Sequence, residues 1–209
     1  MMPALFILFF ALASSINNPV ASALESFHRV ATYRVTIQSS SGGSRQIIKY
    51  FFKRPGFVRM EFQKPHKDAV LVYSPETNKA RLRPFGFIKP LVLTMAPDNG
   101  LITAPQGHRV DASDLGAFLE TVESLEDKGK SRIIGNEKVG DRPALLVEVL
   151  GGEGITVNGN IHRYLLWLDA RTLLPLRTQS FAADDTLVED VVMVDLEINV
   201  ELPDSLFEL

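Results

Sequence analysis

The sequence predicts a single α+β domain, mainly antiparallel β, built on one curling sheet of about eleven strands with two amphipathic helices. Three observations predict it: short runs in which apolar and polar residues alternate, Gly- and Pro-containing turns between those runs, and only two segments with helical spacing. The 209 residues are 45% apolar and 22% charged, which excludes a disordered or low-complexity chain. No long-period repeat and no linker divides them into two domains.

The N-terminus reads as an export signal. Residues 3–16 form an apolar run too short to span a bilayer, and Val20-Ala21-Ser22-Ala23 supplies an A-x-A cleavage site. Residues 1–23 are therefore expected to be a signal peptide, and residues 24–209 the mature domain. Because no Lys or Arg precedes the apolar run, an uncleaved anchor is the competing reading. No later segment has the pattern of a membrane span, so the mature protein is expected to be soluble and periplasmic.

The elements follow in order. Leu24, Phe27, Val30 and Ala31 recur at helical spacing and predict one short helix. Tyr33, Val35 and Ile37 alternate with Arg34, Thr36 and Gln38, and Ile48, Tyr50 and Phe52 alternate around Lys49. The Ser- and Gly-rich segment 39–44 makes these two runs a hairpin. Pro55-Gly56 turns the chain into a strand with Val58, Met60 and Phe62 on one side and Arg59 and Glu61 on the other. Pro65 turns it into a strand over 69–74, and Pro75 to Asn78 lead into one over 79–83. The Pro84-Phe85-Gly86-Phe87-Ile88-Lys89-Pro90 stretch is expected to be a greasy loop. Short strands over 91–95 and 101–103 flank a turn at 97–100. Asp111 or Ser113 then caps a helix carrying Leu115, Phe118, Leu119, Val122 and Leu125 on one side. Five strands, around 132–137, 144–150, 162–169, 176–181 and 187–200, complete the chain.

The chain contains no Cys, which excludes disulfides, thiolate metal sites and a cysteine nucleophile. His28, His66, His108 and His162 show no i, i+4 pairing and no H-E-x-x-H context, so no metal site is expected. Segment 39–44 lacks the G-x-S-x-G turn of a nucleophilic serine, and Gly151-Gly152-Glu153-Gly154 lies between strands rather than before a phosphate-holding helix. Asp184-Asp185 and Glu189-Asp190 read as solvated acids near a hairpin turn, and Trp167 as a sheet residue. No catalytic residue and no cofactor is expected.

Charge is unevenly distributed. Residues 29–89 carry 13 Lys and Arg against Glu61, Asp68 and Glu76, whereas residues 184–209 carry nine acids and no Lys or Arg. Either the two regions neutralise each other in the fold, or they form separate docking faces for an envelope protein or an anionic membrane. The net charge of −3 and the expected export argue against nucleic acid as a partner.

A sheet of this size curls, and an open one exposes a concave apolar face that two helices do not fully cover. Either a cavity for hydrophobic ligands remains, or the domain is a fully packed two-layer structure. The cavity candidates, by alternation, are Tyr33 and Val35; Ile48, Tyr50 and Phe52; Val58, Met60 and Phe62; and Leu71 and Tyr73. Leu93, Phe118, Leu166 and Leu176 complete the set. The helix over 113–125 is the lid candidate.

Lys53-Arg54-Pro55-Gly56 closing a strand, then Met60-Glu61-Phe62, Pro65 and Leu71-Val72-Tyr73, resemble the early strands of the LolA-like carriers of bacterial lipoproteins. Leu168-Asp169, Leu174-Pro175-Leu176-Arg177, the Asp-Asp turn, the strand at 191–195, Ile198-Asn199-Val200 and Leu206-Phe207 resemble that superfamily's closing strands. The middle of the chain is similar to an uncharacterised exported branch. The resemblance implies an incomplete, half β-barrel with helices over its concave face, holding acyl chains of a lipid or lipoprotein without catalysis. It also implies that Arg54 holds a lid shut by hydrogen bonds to backbone carbonyls, a role that suits the five fixed donors of a guanidinium. A sensor or scaffold of the same fold that binds a regulatory protein is the alternative. The expected partners are thus acyl chains and an envelope protein, with the chain itself monomeric.

Overall fold

The computed structural model describes residues 17–84, 91–103 and 109–209. They form helix α1 (Pro19–His28) and the strands β1 (Thr32–Ser41), β2 (Ser44–Lys53), β3 (Phe57–Lys64), β4 (Val70–Ser74), β5 (Lys79–Arg83) and β6 (Leu93–Met95). A 3-10 turn (Val110–Ala112) and helix α2 (Leu115–Glu126) follow. The chain then forms β7 (Gly129–Val139), β8 (Arg142–Gly151), β9 (Ile161–Asp169), β10 (Pro175–Ala182) and β11 (Leu187–Ile198), and a last 3-10 turn (Asp204–Phe207).

All eleven strands belong to one open antiparallel sheet, ordered β6-β5-β4-β3-β2-β1-β11-β10-β9-β8-β7. Two meanders of consecutive hairpins, β1 to β6 and β7 to β11, are joined where β1 pairs with β11. The half-barrel is therefore seamed by the first and last strands.

Register converts the alternation into ladders on the concave face. One row runs Tyr33, Phe52, Val58, Tyr73, Ala80 and Met95 across β1 to β6, and the next runs Val35, Tyr50, Met60, Leu71, Leu82 and Leu93. In the other meander Val147, Leu166, Thr178 and Val191 are neighbours, as are Val149, Tyr164, Ser180 and Glu189. The helices lie over the first of these rows. Phe27 of α1 packs on Tyr33 and Phe52, with ring centroids 6.4 and 5.6 Å away, and Leu115, Leu119, Val122 and Leu125 of α2 are buried in the same core. The two helices touch at Gly116, where a Cβ would stand 2.3 Å from the Phe27 ring, so only glycine allows this approach.

The convex face is covered by side chains and by the chain's own end. Leu202, Leu206 and Phe207 pack on Val70, Val72 and Phe57, and Arg59 Nη1 donates to the Leu206 carbonyl at 2.9 Å. Under β8 to β10, Ala144, Leu146, Trp167 and Leu176 form a second outer cluster. Above it Arg177 lies over the Trp167 ring and grips Asp190 through both carboxylate oxygens. The two charged regions meet through Arg34 with Glu197 and Lys53 with Asp204, at 2.9 and 2.5 Å. Asp185 and Asp190 are instead neutralised by Arg163 and Arg177 of their own meander.

Several elements differ from expectation. Helix α1 starts at Pro19, because Asn18 accepts the Ala21 N–H as its N-cap, and the helix spans the bond after Ala23. The cap of α2 is Asp114, accepting from Gly116 and Ala117; Ser113 is drawn instead to Tyr50. Residues 101–103 form a turn around Asn99 rather than a strand. The greasy loop expected at 84–90 lies, from residue 85 on, outside the described residues, as does His108.

Candidate ligand cavity

Between the concave face and α2 lies a cavity of about 1200 Å³, above the 300–1,000 Å³ usual for small-molecule sites. Its floor is the second ladder and its continuation: Val35, Tyr50, Met60, Leu71 and Leu82, then Ile37, Ile48 and Phe62. Phe118 and Ala117 of α2 form the roof, and Val191 and Met193 of β11 extend the wall. The thioether of Met60 sits mid-floor, a flexible surface suited to chains of varied shape.

The roof is tied to the floor by two phenols. The Tyr33 and Tyr50 rings stack at 5.7 Å. The Leu115 N–H donates to the Tyr33 oxygen at 3.2 Å, and the Tyr50 hydroxyl lies 3.0 Å from Ser113 Oγ. Burial pushes both phenols up from their ordinary pKa, so both keep their protons and remain neutral at physiological pH. Two strand residues thus hold the start of α2 without placing a charge in the apolar site.

Arg54 makes the kind of contact the resemblance implies, but to α1. Its Nε donates to the Val30 carbonyl at 2.8 Å and its Nη2 to the Phe27 carbonyl at 3.0 Å, and its guanidinium lies 5.2 Å from the Phe27 ring centroid. The guanidinium thus holds carbonyls in the last turn of α1 and just after it, the Phe27 carbonyl also accepting the Val30 N–H, and reaches α2 only through Phe27 against Gly116.

Of the fourteen residues chosen by alternation, Tyr33, Val35, Ile48, Tyr50, Met60, Phe62, Leu71 and Phe118 line the cavity. Phe52, Val58 and Tyr73 share its face but are closed over as core, and Leu166 is fully buried in the same cluster. Leu93 sits on edge strand β6, 36% exposed and away from the cavity lining. Leu176 is a correction: the register shifts between Pro175 and Arg177, and this irregularity sends Leu176 to the convex cluster with Trp167.

The polar lining is what alternation did not single out. Ser39 and Gln46 are direct partners in the β1/β2 ladder, at the step where the apolar series Tyr33, Val35, Ile37 and Ile48, Tyr50, Phe52 turns polar. Thr178, Ser180 and Glu189 bring hydroxyls and a carboxyl to the same wall, with Asn158 and Tyr164 nearby. Arg109 also lines the cavity, on the side of Tyr73, where it forms a bidentate pair with Asp111 at 3.0 and 2.6 Å. His66 lines it as well, while the His162 ring is bonded to the Ile155 carbonyl at 2.8 Å. Among the described residues no group of three or more His, Asp or Glu is placed to hold a metal ion.

The profile of the MucB/RseB N-terminal domain family matches residues 91–208, more than half the chain. The chain belongs to that family. MucB/RseB domains have a LolA-like fold, so the membership agrees with the resemblance and names the branch. No curated protein matches the chain. Among solved structures, an uncharacterized conserved protein from Thermus thermophilus superposes with a TM-score of 0.57 at 10% identity, over 91% of each chain. MucB in complex with MucA(peri) does so with a TM-score of 0.52 at 17% identity, over 91% of this chain and 58% of MucB. The Mycobacterium tuberculosis lipoprotein LppX gives 0.51 at 6% identity, over 88% and 95%. At these identities the likeness is one of fold.

The position of Arg54 in this MucB/RseB domain yields a test. Arg54→Leu is expected to lower stability by about 1 kcal/mol, since its charge-assisted bonds are partly exposed to solvent. Amide exchange at residues 27–31 should quicken while the β2 and β3 amides keep their protection. Unchanged exchange at 27–31 would mean that Arg54 does not hold α1.

Proposed function

We propose that the chain is a non-catalytic binding domain of the bacterial cell envelope whose cavity takes an acyl chain of a lipid or lipoprotein. The cavity carries this reading: an apolar floor of two aliphatic and aromatic ladders under a short helical roof suits a flexible hydrocarbon. Each buried methylene is worth about 0.8 kcal/mol, so a dozen carbons supply ample affinity. Membership of the MucB/RseB family and the apolar run at 3–16 support an envelope location. Residues 1–23 are the leader this reading proposes, on the A-x-A site at Ala21-Ser22-Ala23; its removal would divide α1, in which Asn18 is the N-cap and Val20 and Ala23 are fully buried. Intact mass of the exported chain decides: a chain beginning at Leu24 is expected, and one that retains α1 from Asn18 would contradict cleavage at that site.

A second reading is favoured by the family itself: a sensor or scaffold in which the ligand state controls a protein partner, as suggested by the structure of MucB with MucA(peri). The chain spans 58% of that MucB, so a partner of this kind is a proposal for this chain.

One experiment separates the readings. The neutral fluorophore N-phenyl-1-naphthylamine is expected to brighten on binding and to be displaced by long-chain amphiphiles. Met60→Glu, which places a carboxylate on the floor, should weaken probe binding at least tenfold, about 1.4 kcal/mol, in a protein with wild-type circular dichroism. Passing loaded and empty protein over envelope extract at low and high salt then distinguishes a carrier from a scaffold, which retains a salt-sensitive partner in one ligand state. Equal probe binding by the wild type and the variant would contradict the cavity reading.

A further inference from the structure

The cavity is not uniformly oily, and its polar groups are placed by register. Ser39 and Gln46 face each other across β1 and β2, Ser39 pairs with Val191 of β11, and Ser180 of β10 pairs with Glu189. All four polar residues line the cavity at the end of the β1/β2 hairpin, with Asn158 and Tyr164 beside them. Glu189 is the unusual member. Among the described residues no Lys or Arg forms an ion pair with it; its neighbour Asp190 points to the convex face and takes Arg177. Burial raises the Glu189 carboxyl above its ordinary pKa, and hydrogen bonding from Ser39 offsets this only in part. A half-buried carboxyl with no Lys or Arg in an ion pair seeks a donor, and the open space in front of this one is the ligand cavity.

We propose that this end of the cavity holds the polar head of the bound amphiphile, and that the head is a hydrogen-bond donor without negative charge, an amine or a hydroxyl-bearing group, held by Glu189 with Ser39, Ser180 and Gln46. A free carboxylate is disfavoured there, because it would sit against the like charge of Glu189 in a partly desolvated site. Arg109 does not rescue it, since it lies on the Tyr73 side and is committed to Asp111. The inference rests on the acyl-binding reading and adds its head-group class.

The test uses three probes of equal chain length, tetradecylamine, 1-monomyristoylglycerol and myristate, as competitors of N-phenyl-1-naphthylamine at pH 7.5 below their aggregation limits. The amine or the glyceride should compete at least tenfold better than myristate, and which of them leads distinguishes an amino head from a polyol. Glu189→Gln should bring myristate to within about threefold of the better competitor. Gln46→Glu, adding a second carboxyl at the same end, should widen the gap and serves if Glu189→Gln does not fold. Myristate competing equally with both other probes in the wild type, or a gap that neither substitution moves, overturns the head-group assignment alone. Failure of all three to bind overturns it together with the acyl-binding reading.

Discussion

A mismatch of area governs this molecule. Eleven strands at about 4.8 Å spacing make a sheet roughly 50 Å across, whereas α1 and α2, at 1.5 Å per residue, measure only about 15 and 18 Å. The helices cover the row that runs from Tyr33 to Ala80 and leave the next rows open. Alternation along every strand makes those uncovered rows apolar, so the curl of the sheet turns surplus oily surface into an enclosure rather than an exposed patch.

The way the helices are held fits that arrangement. The start of α2 is tied to the sheet by the neutral hydroxyls of Tyr33 and Tyr50, and the end of α1 by a guanidinium on backbone carbonyls. These bonds can be broken and remade without exposing much apolar area, whereas Leu119, Val122 and Leu125 anchor α2 by burial. The roof thus combines a fixed base with a start secured by hydrogen bonds, next to the cavity. Phe118, which stands edge-on to Tyr164 at 5.7 Å, links the roof to the polar wall.

Local patterns made much of this legible. The alternation at Tyr33, Val35, Ile48, Tyr50, Met60, Phe62 and Leu71 picked out the floor because period-2 patterning assigns faces directly. It did not distinguish Phe52, Val58 and Tyr73, which lie on the same face, because cover by helices is a tertiary property. Leu176 was misassigned because a one-residue irregularity reverses facing and leaves no mark in apolar content. The pairing of β1 with β11 joins residues some 160 positions apart, beyond the reach of any local signal. Ser39 and Gln46 carried a readable sign, since both continue an apolar series in register. Ser180 and Glu189 became visible only when β10 and β11 were aligned.

The central claim is that the cavity over the uncovered rows holds a hydrocarbon chain. Native mass spectrometry of the protein purified from its own host, followed by solvent extraction, tests it most directly. The account predicts a complex heavier than the polypeptide by the mass of one amphiphile, released into the extract as an acyl-bearing molecule. A bare polypeptide mass in every preparation, with nothing acylated in the extract, would contradict it.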